Sequence, residues 1–223
     1  MDSVMRAAIG GQFGAAINTL REAVENCPET LWNDRSEGAP FWQIAYHTLF
    51  CLDMYSSPSL QALMPARFHV EDAQFLAGHY PWLDPPRTIG VPAFVFSKAD
   101  VLSYLQECRE HCSATLEEMT SDRAAERCGF PWYDMSVGEL LLLNLRHVTH
   151  HTGQLALVLR RRAGIGVDWI ASAALRDIQE RQPAPITCNP RGTGVLRQGL
   201  VQIELLRSLD PWHVDHVHRV SIP

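Results

Sequence analysis

The run from Ser136 to Gly164 constrains this fold more than any other part of the chain. It opens on Ser136-Val137-Gly138-Glu139, a capping box in which a hydroxyl and a carboxylate each satisfy a backbone N–H at a helix start. It closes on Arg160-Arg161-Arg162, three cations that complement the negative end of a helix dipole, and then on Gly164, the expected stop. Between the two signals Leu140, Leu143 or Asn144, His147, His151 and Gln154 or Leu155 recur at three- and four-residue spacing. A helix this long gains most of its stability by laying such a stripe against other helices.

Three further segments offer themselves as partners. Ser3 to Cys27 reads as a helix with Ser3 as N-cap. Its buried stripe is Ile9, Phe13, Ala16, Ile17, Leu20, Ala23 and Val24, and Pro28 ends it. Glu29 to Ala39 reads as a connection. Pro40 suits the first turn of a second helix, where a missing N–H costs nothing, and that helix ends near Ser56-Ser57-Pro58. Ser97-Lys98-Ala99-Asp100 is a second capping box, and a third helix follows it to about Met119. The region from Pro58 to Phe96 is long, irregular and rich in proline and aromatic residues; loops of this length usually serve a function, so it is expected to cover a site. A shorter helix is expected over Asp168 to Arg181. The tail from Pro183 to Pro223 has a different texture, and its Val195 to Leu209 stretch suits strand or helix equally. No internal repeat is present. The expected fold is therefore all-α, a four-helix bundle over residues 1–182 with a C-terminal extension over 183–223.

Bundles build metal sites from side chains on facing helices, and the last helix carries suitable ones. His147 and His151 stand four residues apart, about 40° around a helix axis and one turn along it. His47 lies in the second helix, within Phe41-Trp42-Gln43-Ile44-Ala45-Tyr46-His47-Thr48-Leu49-Phe50. If the two helices face each other, three neutral imidazoles can hold one divalent ion and leave a position open for chemistry. Spacing alone leaves His150 as a rival to His151. The apolar stripe favours His151 and puts His150 at its edge, as an outer partner or a substrate-facing residue. The bland reading is a set of ordinary interfacial histidines; the third histidine on a separate apolar helix weighs against it.

Other candidates carry stronger bland readings. Cys108 and Cys112, with His111 between them, could form a second metal or redox site, but cysteine is among the most buried residue types and packs well in helices. Cys51, one turn after His47, could approach the metal site but reads better as core. His213, His216 and His218 in the tail could bind a metal or reach over the site; a surface or partner-facing role is the simpler expectation. Asp53 and Glu139 could orient ligand histidines as outer partners, although Glu139 is already explained by its capping box. Tyr46 is read as packing.

Composition narrows the function classes. The 223 residues carry a net charge of −6, which argues against a nucleic-acid binder with its usual basic face. Met1-Asp2-Ser3-Val4-Met5-Arg6 does not read as a secretion signal. No apolar run approaches the roughly 20 residues that span a bilayer. A cytoplasmic location is the default expectation, and with it reduced thiols at Cys27, Cys51, Cys108, Cys112, Cys128 and Cys188.

The stretch His147-Val148-Thr149-His150-His151-Thr152-Gly153-Gln154, followed by a leucine-rich helix and Arg160-Arg161, resembles the last bundle helix of the DinB/YfiT-like superfamily. Trp42-Gln43-Ile44-Ala45-Tyr46-His47-Thr48-Leu49 resembles its second helix, which supplies a first histidine ligand, and Asp168-Trp169-Ile170 resembles its C-terminal end. The likeness covers roughly residues 1 to 175. It implies a bundle of the up-down-down-up type, commonly a homodimer, with a three-histidine site for zinc or nickel. Matching positions give His47, His147 and His151 as ligands. Relatives include transferases and isomerases that use low-molecular-weight thiols, together with metal-dependent hydrolases. The implied function is activation of water or a small thiol for attack on a small electrophile. The alternative is a non-catalytic, dimeric metal-binding or stress-related module.

Overall fold

Asp2 starts the first helix, not Ser3. Its carboxylate accepts from Met5 N–H, and α1 runs Ser3–Asn26. Both residue types cap well, but the carboxylate also brings a negative charge to the positive end of the helix dipole. This computed structural model describes residues 1–175 apart from Glu37, Trp82 and Asp84. The expected readings of the tail, its three histidines and Cys188 fall outside the described residues.

Three more long helices follow: α3 over Phe41–Ser56, α4 over Lys98–Glu117 and α6 over Val137–Ala163. Both expected capping boxes are formed, Ser97 with Asp100 and Ser136 with Glu139. Gly164 takes the left-handed conformation, φ 70°, that ends α6. Pro40 is the N-cap of α3 and so stands just outside its first turn. Helices α1 and α3 each pack against both α4 and α6. The described residues thus form an all-α fold around one core. Phe13, Ile17 and Leu20 come from α1, Trp42, Leu49 and Leu52 from α3, Val101 and Leu105 from α4, and Val148 and Leu155 from α6; all are fully buried. Each such side chain contributes roughly 1.5–3 kcal/mol through its burial.

Shorter elements break what reads as plain connection. A turn of helix, α2, spans Glu29–Trp32, and α5 spans Ser121–Ala125 behind a Thr120 cap. The Trp32 indole donates to the Phe96 carbonyl at 2.8 Å, which ties α2 to the start of α4. Within the long loop, β1 (Gly78–Tyr80) and β2 (Arg87–Ile89) form a small antiparallel pair with Gly78 opposite Ile89. Phe96 and Phe68 seat this loop on the core: the Phe96 ring meets Tyr46 edge-on at 4.7 Å and Phe68 at 4.8 Å.

The expected helix over Asp168 to Arg181 is not formed in its described part. Residues 168–175 have no regular helix and lie along α1. Asp168 N–H donates to Glu22, Ala173 N–H to the Gly11 carbonyl, and Gln12 to the Ala171 carbonyl. Gly14 makes the approach possible, because a Cβ there would stand 2.1 Å from the Ala173 carbonyl oxygen. Backbone groups that satisfy α1 are not available to each other, so tertiary bonding overrides local helix preference. Among the described residues, no helix is long and apolar enough to cross a membrane.

Candidate metal centre

Helix α3 is buried nearly all round, and His47 is one of its few half-exposed positions. Helix α6 packs against it and presents His147, half-buried, and His151, 5% exposed. The three rings meet. His147 Nε2 lies 3.2 Å from His47 Nε2 and 3.2 Å from His151 Nε2. The His47 and His151 ring centroids are 4.8 Å apart. His150 is exposed and joins the group only by a ring contact with His151. The helical phase that puts His151 inward turns His150 out.

The proton inventory decides what this meeting can do. His47 Nδ1 is 2.6 Å from the Gln74 carbonyl oxygen. A carbonyl only accepts, so Nδ1 carries the proton, and neutral His47 has a bare lone pair on Nε2. His151 Nδ1 is 2.7 Å from Gln154 Oε1, which leaves its Nε2 bare in the same way. Both bare nitrogens face His147 Nε2. A cation placed among the three could take a lone pair from each. Two nitrogens bound to one tetrahedral zinc ion lie roughly 3.3 Å apart, close to the observed separations. The donor set fits a divalent metal, and the carbonyl and amide behind it are the outer partners that fix ring orientation in metal sites.

A thiol adjoins the group. Cys51 Sγ lies 4.0 Å from His47 Nε2. The donor atoms of His47, Cys51 and His147 all lie within 4.8 Å of one another, a spacing that can hold one metal ion. Burial pushes the Cys51 thiol up to about 12, so without a cation it stays protonated. Cys51 is buried, as the core reading expects, and it also approaches the histidine group, the alternative weighed beside that reading. The i, i+4 relation to His47 was the available signal. Gln74 carries none, since it sits in irregular chain and acts through its backbone.

The remaining candidates lie elsewhere. Asp53 accepts from Tyr104 Oη at 2.9 Å and pairs with His111 Nδ1 at 2.6 Å, so it orients His111. Glu139 accepts from the Ser136 N–H and hydroxyl, both at 2.8 Å, as a cap. Cys108 and Cys112 are fully buried, and the Cys108 thiol donates to the Leu49 carbonyl. Tyr46 is buried, with its hydroxyl 2.6 Å from His69 Nδ1.

A family model described as the DinB superfamily matches residues 12–155. That span takes in His47, Cys51, His147 and His151 and stops before the segment that lies along α1. No curated protein and no solved structure matches the chain.

Proposed function

The chain belongs to the DinB superfamily, and from that premise we propose that it is a metal-dependent enzyme in which His47, His147 and His151 hold one divalent ion, zinc or nickel. The observation that carries this reading is the convergence of three imidazoles from α3 and α6, with His147 Nε2 3.2 Å from both His47 Nε2 and His151 Nε2. A bound divalent ion supplies Lewis acidity toward a water or a low-molecular-weight thiol. The chain's own residues set that chemistry up. Gln74 and Gln154 hold two ring tautomers, so the donor nitrogens are ready before an ion arrives. The loop that supplies Gln74 also screens the group, with Gln43 donating to the Phe75 carbonyl at 2.8 Å. The proposed substrate is a small electrophile, attacked by water in a hydrolase or by a small thiol in an S-transferase. The proposed assembly is a homodimer.

The test is metal content of the full chain, wild type against His151→Ala and His150→Ala. His151→Ala should lose most of its bound metal and His150→Ala should keep it. Unchanged stoichiometry in His151→Ala removes His151 from the ligand set.

A second reading is a non-catalytic metal-binding or stress-related dimeric module. Cys51 favours it, because a thiol 4.0 Å from His47 Nε2 offers a fourth donor, and four protein ligands are the mark of a structural site. Metal-loaded protein that consumes no small thiol across a panel of alkyl and epoxide electrophiles, and hydrolyses no small ester or amide, would support this module over the enzyme.

A further inference from the structure

We infer that Cys51 is a fourth protein donor to the ion held by the histidines, so that the centre carries sulfur in its coordination shell. The inference rests on the reading of the histidine group as a metal site and adds a ligand to it.

Three observations carry it. Cys51 follows His47 by four residues on α3, so the two side chains share a face one turn apart. Its Sγ lies 4.0 Å from His47 Nε2, the nitrogen that faces His147, and within 4.8 Å of the donor atom of His147. The partner is unusual among the buried thiols. Cys27, Cys108 and Cys128 each donate to backbone carbonyls, at 3.6, 3.5 and 3.9 Å. Cys51 instead meets an imidazole nitrogen. A nitrogen and a sulfur on one tetrahedral zinc ion lie roughly 3.6 Å apart, a few tenths of an ångström closer than Sγ stands to His47 Nε2.

The chemistry balances without an oxidant. The S–H bond breaks, a sulfur–metal bond forms, and the proton leaves to solvent, as a coordinating thiol requires. Sulfur then biases the centre toward thiophilic ions such as zinc and cobalt and away from magnesium, calcium and manganese. It also makes Cys51 a resident thiol that an incoming small thiol must displace, which places control over access within α3 itself.

The experiment uses the full chain loaded with zinc or cobalt(II) alone. X-ray absorption of the zinc form should show one sulfur at about 2.3 Å beside nitrogen ligands. The cobalt form should show a thiolate-to-cobalt charge-transfer band in the near ultraviolet. That band should vanish in Cys51→Ala and Cys51→Ser while the visible ligand-field bands persist, and zinc affinity should fall by at least about tenfold. If either variant fails to fold, peptide mapping of the wild type decides: Cys51 should resist alkylation when zinc is bound and react after chelation under mild denaturant. A bound ion with only nitrogen and oxygen neighbours overturns the inference and leaves the histidine site standing. A charge-transfer band that survives Cys51→Ser, or zinc protection that maps to another cysteine, overturns it too. Failure of the wild type to bind either ion overturns the inference and the metal-site reading together.

Discussion

Helix α3 carries two histidine-containing polar clusters that solve burial in opposite ways. At Asp53, 6% exposed, every contact pairs a donor with an acceptor: one carboxylate oxygen takes the Tyr104 hydroxyl and the other takes His111 Nδ1. Burial, with Cys108 and Asp53 nearby, drives the Tyr104 phenol further toward its neutral, donating form. At His47 the outer contacts pair a ring nitrogen with a carbonyl or amide oxygen, and the inner ones bring three ring nitrogens together. The same residue types therefore teach different things. A cluster whose own protons satisfy it has no use for an ion, whereas ring nitrogens gathered at 3.2 Å offer lone pairs that a cation could take.

The most severe way to break this contrast is to remove the central ring. His147→Ala should weaken zinc binding by more than about 100-fold, beyond the cost of losing an outer partner, as read by competition with a chromophoric chelator. Without metal the same variant should be about as stable as wild type, because the ring it removes is only half-buried. Asp53→Ala should do the reverse. It should cost about 2 kcal/mol in urea denaturation, mostly by orphaning the buried Tyr104 hydroxyl. The His111 contact should add little, since that ring is 37% exposed. Zinc affinity should stay within about twofold. If Asp53→Ala released the metal, the two clusters would be one network and the contrast would fail.

A finer cut is Gln154→Ala. It leaves all three rings in place and removes only the acceptor behind His151. Zinc affinity should drop about tenfold, with apo stability within about 0.5 kcal/mol of wild type. Equal zinc affinity in the variant would mean that the His151 tautomer is set by something other than Gln154.

How legible were these clusters in the sequence? Local signals carried the long helices: the Ser97 and Ser136 boxes and the Gly164 stop all act within a few residues of themselves. The stripe on α6 likewise separated His151 from His150, because helical phase is a local property. What stayed hidden depends on distant chain. The Gln74 carbonyl reaches His47 from an irregular loop across 27 positions. Asp53, which could have stood behind a ligand histidine, finds His111 instead across 58. The 168–175 segment looks helical by composition and is claimed instead by α1, through a gap that Gly14, with Gly11 beside it, provides. Glycine in a long helix reads as a weakness until the strand of chain that needs it is known.

The smallest effect concerns His69, in the long loop that follows α3. His69 stacks on Phe50 at 5.3 Å, and its Nδ1 meets the Tyr46 hydroxyl. Burial lowers its pKa from the ordinary histidine value, against a weaker upward pull from Glu71. The unfolded chain, with its histidine near about 6.5, therefore takes up this proton first as pH falls. More protons bound in the unfolded state means that stability rises with pH. The stabilisation from neutral His69 is full above about pH 6.5 and is lost as pH drops through the folded-state value below it. Protonation also removes the lone pair that accepts from Tyr46. His69→Phe keeps the stack and deletes the titration. Urea midpoints of the metal-free protein taken between about pH 7.5 and 5 should fall less steeply for the variant than for wild type. Parallel slopes would assign the acid sensitivity of this region to other groups and leave His69 as packing alone.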